Sequence, residues 1–137
     1  MRTEYEILSG AYDRAGDASG DIKRRLKQLG IDNNTLRRVA VTSYEMEMNI
    51  IIHSQGGVMG LMVDQDWITL YSKDTGPGIP DVQLAMREGF STAGQDARDM
   101  GFGAGMGLPN MKRNADTFEI TSLMGEGTQI SITFKVI

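Results

Sequence analysis

Residues 36 to 53, LRRVAVTSYEMEMNIIIH, form the segment that most constrains how this chain can fold. Apolar residues recur in it at helical spacing and occupy most of the circumference of the helix that they predict. Such a helix must be covered by other elements, so we expect it in the middle of the fold. Asn33 or Asn34 can cap its start, and the helix should end before the Gly56-Gly57 pair.

The remaining segments predict the strands and helices that cover this central helix. Alternation of apolar and polar residues predicts strands at 3–9, 58–64, 67–74, 117–122 and 128–136. Amphipathic spacing predicts helices at about 19–29, 81–89 and 108–116. The order β-α-α-β-β-α-(loop)-α-β-β predicts an α/β protein, a two-layer sandwich in which helices cover one face of a mostly antiparallel mixed sheet.

The composition excludes several classes of protein. The 137 residues are 40% hydrophobic, which suffices for the core of a single domain, and we expect residues 1–137 to form it. The absence of cysteine excludes disulfides, thiolate metal sites and a cysteine nucleophile, and a single histidine argues against Ser-His-Asp hydrolysis and zinc chemistry. A net charge of -4 without a basic stripe argues against nucleic-acid binding. Because no apolar leader or membrane-spanning stretch is visible, we expect a cytoplasmic protein without membrane contact.

The first motif that could carry chemistry is EMEMN, residues 45 to 49. On a helix, Glu45 and Asn49 share a face one turn apart, whereas Glu47 points roughly 200° away. A carboxylate beside an amide oxygen suits a hydrated Mg²⁺ and the activation of a hydroxyl group. The alternative is a polar stripe that simply faces solvent.

The second motif is DTGPGIP, residues 74 to 80, which directly follows the predicted strand at 67–74. Gly76 and Gly78 lack the Cβ atoms that would keep a flat ligand away from the backbone. A buried Asp74 carboxylate would accept a hydrogen bond from the exocyclic amine of a nucleobase. The alternative is an ordinary Pro/Gly turn with an aspartate cap.

The third motif is MGFGAGMGLPN, residues 100 to 110, which leads into the predicted helix at 108–116. Its alternating glycines expose backbone N–H groups at a helix N-terminus, where the helix dipole favours an anion such as phosphate. The spacing matches neither the dinucleotide fingerprint nor the Walker A loop. The alternative for this motif is a plain flexible hinge. Residues 91–104, which overlap its start and are rich in Gly and Asp, predict a mobile surface segment.

In this order, and followed by GEGT at residues 125 to 128, the motifs resemble the Bergerat ATP-binding fold. That fold is shared by gyrase-type ATPases, Hsp90 chaperones, MutL proteins and histidine kinases (the GHKL group). The phrases DTGPGIPDVQLAMREGFST and MGLPNMKRNADTFEITSLMGEGT most resemble the anti-sigma-factor serine kinases and the switch kinases of bacterial stress signalling. The resemblance covers residues 20 to 135.

The resemblance implies a role for each motif residue. Glu45 would be the general base, Asn49 would hold a Mg²⁺ ion that bridges the ATP phosphates, and Asp74 would bind the adenine amino group. The residues implied to complete the ATP site are Gly76 and Gly78 at the base, Gly103, Gly105 and Gly107 along the phosphates, Thr128 assisting Asp74 through its hydroxyl, and His53 beside the phosphates. For His53, a histidine that merely ends a helix is the alternative. Residues 91–104 would form the ATP lid.

Three functions follow from this resemblance. The first is a kinase that transfers the γ-phosphate of ATP to a serine or threonine of a protein partner, an antagonist domain in a partner-switching module. The second is a nucleotide-dependent binding module, such as an anti-sigma factor that captures a sigma factor. The third, a detached histidine-kinase ATP domain, fits least because the chain has no helix pair that would present a phosphoacceptor. The sequence leaves open whether two copies form a homodimer. It also leaves open the role of Arg98, which lies in a lid that is longer than the one expected of switch kinases.

Overall fold

The computed structural model describes residues 1–76, 86 and 107–136. Within these ranges, every helix and strand expected from the sequence is present. The elements are strands β1 (Arg2–Ile7), β2 (Gly57–Val63), β3 (Trp67–Asp74), β4 (Thr117–Leu123) and β5 (Gly127–Lys135), and helices α1 (Asp17–Gln28), α2 (Asn33–His53) and α3 (Gly107–Asn114). The helix expected at 81–89, apart from Met86, and the lid expected at 91–104 lie outside the described residues.

The described strands form one five-stranded sheet in the order β1-β2-β3-β5-β4. Each neighbouring pair in this sheet runs antiparallel. Burial alternates along the strands, as in β5, where Ile130, Ile132 and Phe134 are buried while Gln129 and Lys135 are exposed. One face of the sheet therefore packs on the core and the other faces solvent, which confirms the two-layer α/β sandwich.

Helix α2 occupies the central position that its apolar circumference predicts. It packs against α1 on one side and α3 on the other, and it also contacts β1, β2 and β3. Val39, Met46 and Ile50 along its length are at most 1% exposed. None of the described helices is both long enough and apolar enough to span a membrane.

The start of α2 differs from the expected one. Its cap is Asp32 rather than Asn33 or Asn34, and Asn33 is already the first residue of the helix. The Asp32 carboxylate accepts the Thr35 backbone N–H at 3.0 Å and the Thr35 hydroxyl at 2.9 Å. A carboxylate can accept both bonds at once and favours the positive end of the helix dipole, which explains why the cap falls on the acid.

Helix α1 is capped by a side chain from α2. Its own cap residue, Gly16, has no side chain to accept a hydrogen bond. The Glu47 carboxylate, which is only 2% exposed, accepts instead from the backbone N–H groups of Gly16, Ala18 and Ser19 at 3.2, 3.3 and 3.0 Å. Glu47 thus satisfies three backbone donors at the start of α1 and ties α1 to α2.

The other end of α2 is joined to the end of β3. The backbone N–H of Gln55 donates to the Thr75 carbonyl at 2.7 Å, and the Thr75 N–H donates to the Gly56 carbonyl at 3.0 Å. The Ser54 hydroxyl closes the helix by donating to the Ile50 carbonyl at 2.7 Å. These bonds hold the last turn of the central helix beside the residues that follow β3.

Replacing Glu47 should weaken the fold. In Glu47→Gln, an amide NH₂ group faces backbone donors and the negative charge at the α1 N-terminus is lost, so we expect a loss of about 1–3 kcal/mol in unfolding free energy. Urea unfolding would measure this loss. Glu119→Gln on the exposed side of β4 is the control and should change stability by less than about 0.5 kcal/mol. Equal midpoints for the two variants would contradict the capping role.

Candidate functional site

The structure places Glu45 and Asn49 as the helix spacing predicts. Both are partly buried on α2, one turn apart, whereas the Glu47 carboxylate binds the start of α1. The two glutamates therefore lie on different sides of α2, as the helix spacing predicts.

The Glu45 carboxylate lies at the first turn of α3. A Cβ atom added to Gly107 would lie 3.2 Å from Glu45 Oε2, so the helix start and the carboxylate are in close contact. Burial raises the pKa of Glu45, and a hydrogen bond from the Asn110 side chain lowers it in part. The site thus holds a carboxylate whose basicity is increased by desolvation. Asn110 was missed by the sequence analysis, although it stands one turn after Gly107 on the helix that follows the glycines.

Asp74 ends β3 and is held by the start of β5. Its Oδ1 atom accepts the backbone N–H of Thr128 at 3.0 Å. Thr128 thus contacts Asp74 through its backbone, while its hydroxyl lies 3.0 Å from the Ser122 hydroxyl on β4. Burial raises the pKa of Asp74, and the Thr128 bond lowers it in part. Among the residues that the structure describes, the Thr128 N–H is the donor to this side chain, and a carboxylate can accept several hydrogen bonds at once.

Glycines allow close approach of the backbone around Asp74. Gly76 is buried, and a Cβ added to it would lie 3.3 Å from Ser54 Cα and 3.4 Å from the Gln55 nitrogen. Gly127 has φ +136°, and a Cβ there would overlap the Asp74 carbonyl oxygen. The turn after α2, the end of β3 and the start of β5 therefore meet more closely than larger residues would permit.

The other expected site residues divide into two groups. His53 is partly buried in the last turn of α2, and burial lowers its pKa, which favours the neutral imidazole. Gly78, Gly103 and Gly105 lie outside the described residues. The structure thus describes seven of the ten expected positions: Glu45, Asn49, His53, Asp74, Gly76, Gly107 and Thr128.

The arrangement offers two different chemistries. At the start of α3 lies the Glu45 carboxylate, whose pKa is raised, on the same face of α2 as the Asn49 amide. A basic carboxylate beside a helix N-terminus is suited to proton transfer near an anion. At the end of β3 lies the Asp74 carboxylate, a hydrogen-bond acceptor, close to Gly76 and Gly127. In the part of the chain that the structure describes, no group of three or more His, Asp or Glu residues could hold a metal ion.

Comparisons with known proteins agree with the geometry. The model of the family described as Histidine kinase-, DNA gyrase B-, and HSP90-like ATPase matches residues 13–137. The chain is 35% identical to "Serine/threonine-protein kinase RsbT" of Bacillus subtilis (strain 168) over 108 residues, which cover 76% of this chain and 75% of that protein. It is 32% identical to the "Anti-sigma F factor" of Thermoanaerobacter sp. (strain X514) over 94 residues, which cover 65% of this chain and 62% of that protein. The family resemblance found from the motifs is therefore confirmed.

The contact between Gly127 and Asp74 can be tested by a pair of alanine substitutions. Gly125→Ala strains a residue with φ +78° but places its Cβ where no described atom lies within 4 Å. Gly127→Ala adds overlap with the Asp74 backbone, so we expect it to lower unfolding free energy by roughly 1–3 kcal/mol more than Gly125→Ala. Urea unfolding of both variants gives the difference. Equal losses would mean that β5 can move away from Asp74 without cost.

Proposed function

This chain belongs to the family of histidine kinase-, DNA gyrase B- and HSP90-like ATPases, and we propose that it transfers the γ-phosphate of ATP to a serine or threonine of a partner protein. Its similarity to a serine/threonine-protein kinase over 76% of its length supports this activity. The observation that carries the proposal is the half-buried Glu45 carboxylate, on the same face of α2 as Asn49 and in contact with the first residue of α3.

Glu45 is the general base in this proposal. Its carboxylate would accept the proton of the acceptor hydroxyl while the hydroxyl oxygen forms a bond to the γ-phosphorus and the bond to the leaving ADP oxygen breaks. Desolvation raises the pKa of Glu45, and a more basic carboxylate accepts a proton more readily at neutral pH. Glu47 cannot take this role because its oxygens accept three backbone N–H bonds at the start of α1.

Asn49 is the proposed protein ligand of Mg²⁺. A cation held by one side-chain oxygen takes its other ligands from phosphates and water, which is the usual arrangement for Mg²⁺ with nucleotides. That arrangement fits a site where the described residues include no cluster of three acidic or histidine ligands. When bound, the ion would neutralise phosphate charge during transfer.

Asp74 is the proposed reader of adenine. A carboxylate accepts hydrogen bonds and donates none when ionised, so it favours the exocyclic amine of adenine over the carbonyl of guanine. The Thr128 N–H holds one of its oxygens in place. The remaining proposed contacts with ATP come from Gly76 and Gly78 at the base, and from Gly103, Gly105, Gly107 and His53 near the phosphates.

The partner is proposed to be an antagonist domain in a bacterial partner-switching module. We further propose that residues 1–137 act as one domain, that residues 91–104 cover the bound ATP, and that the protein works in the cytoplasm without membrane or nucleic-acid contacts. A homodimer remains compatible with this proposal. The decisive experiment incubates the protein with radiolabelled ATP and the antagonist protein encoded beside its gene, and measures transfer of label.

Two variants should separate recognition of the base from recognition of the phosphates. Asp74→Asn puts a donor where an acceptor is required, so we expect calorimetry to show weaker ATP binding by on the order of 1–3 kcal/mol. Asn49→Ala should instead remove mainly the Mg²⁺-dependent part of the affinity. GTP is the control nucleotide and should not raise the melting temperature of the parent protein. Parent-like ATP binding by both variants would refute these assignments.

The two glutamates of α2 give the sharpest test of catalysis. Glu45→Gln keeps the shape of the side chain but removes the base, so transfer should fall by roughly 100-fold or more while ATP binding is retained. Glu47→Gln should retain transfer when assayed at a temperature where its fold is intact. Equal transfer by Glu45→Gln and the parent would exclude Glu45 as the base. ATP-dependent capture of the partner without any transfer would instead indicate a binding module.

A further inference from the structure

A chain of polar side chains runs from solvent to the Glu45 carboxylate along one side of α3. Arg113, which is exposed, donates from Nη1 to Asn110 Oδ1 at 2.9 Å. The Asn110 side chain lies near Glu45 and lowers the pKa of its carboxylate in part. Glu45 Oε2 also lies 3.2 Å from the position of a Gly107 Cβ, one turn before Asn110. The carboxylate is therefore bounded by two positions on the same face of α3.

The hydrogen bond from Arg113 determines which end of the Asn110 amide faces Glu45. A guanidinium has only donors, so the amide must present its oxygen to Arg113. The NH₂ group is then left to face the carboxylate, where it can donate. A reversed amide would set its oxygen against the carboxylate and its NH₂ against the guanidinium, and both contacts would be repulsive.

We propose that Asn110 is a positioning residue that holds the Glu45 carboxylate in place for transfer, and that Arg113 fixes the orientation of the Asn110 amide. This inference rests on the proposed function, because it assigns a supporting residue to the proposed base. A glutamate on a helix surface has several rotamers, and a directed hydrogen bond restricts it to one of them. Restricting the base in this way raises the fraction of molecules that are ready to react.

The hydrogen-bond chain can be tested without any assay of activity. In a ¹H–¹⁵N spectrum, the side-chain amide signal of Asn110 is identified by its loss in Asn110→Ala. We expect that signal to shift in Glu45→Gln, which removes the charged acceptor, and in Arg113→Ala, which removes the donor. Lys112→Ala, which removes a neighbouring exposed cation from the same helix, should leave the signal in place. A signal that does not move in Glu45→Gln or in Arg113→Ala would overturn the proposal.

The functional effect should appear in kcat rather than in KM. Asn110→Ala leaves the base present but less well held, so kcat for transfer to the antagonist protein should fall by roughly 10-fold with little change in KM for ATP. Arg113→Ala should cause a smaller loss, and Lys112→Ala none. Because Arg113 is proposed to act through Asn110, the double variant should transfer no more slowly than Asn110→Ala.

The outcomes distinguish this inference from the proposed function. Losses that multiply in the double variant, or a raised KM with unchanged kcat in Asn110→Ala, would overturn the positioning role. If the parent shows no transfer, or if Glu45→Gln transfers like the parent, the proposed function fails. In that case the spectrum still decides whether the side chains form the hydrogen-bond chain.

Discussion

Two backbone hydrogen bonds between the turn after α2 and the end of β3 hold the candidate site together. They join Gln55 and Gly56 to Thr75 at 2.7 and 3.0 Å. The site depends on them because Asn49 lies on the helix that precedes this junction, and Asp74 lies on the strand that enters it. These bonds hold the end of β3 beside the turn that follows α2. Small residues at the junction, Gly76 above all, allow the two backbones to approach this closely.

Helix α2 uses its two glutamates for different purposes, and the reason is the pitch of the helix. Residues two apart point in nearly opposite directions, so one carboxylate reaches α3 while the other reaches α1. Glu47 is satisfied by three backbone donors, which makes it a structural residue. Glu45 faces one amide in a partly buried place, and its pKa is raised. The same residue type thus has different hydrogen-bond partners and burial at the two positions.

The sequence-based expectations that succeeded rest on local periodicity. The bounds of α2 agree with the expected ones because its apolar pattern is long and ends at glycines, and the strands agree because alternation sets which face is buried. The cap of α2 was assigned to an asparagine because neighbouring polar residues are equivalent in the sequence. Asp32 takes the cap because the Thr35 N–H and hydroxyl both point at its carboxylate.

The sequence by itself determined the sandwich fold, the family, and the separation of Glu45 from Glu47. The first two follow from the order of elements and motifs along the chain, and the third follows from residue spacing on one helix. Only the tertiary structure decided which donors reach the site. Thr128 contacts Asp74 through its backbone N–H because β5 lies beside the end of β3, while its hydroxyl turns to Ser122 on β4. The contact of Glu45 with Asn110 joins two residues 65 positions apart in the chain. Such contacts depend on how the elements pack, and no local pattern encodes the distance between two packed helices.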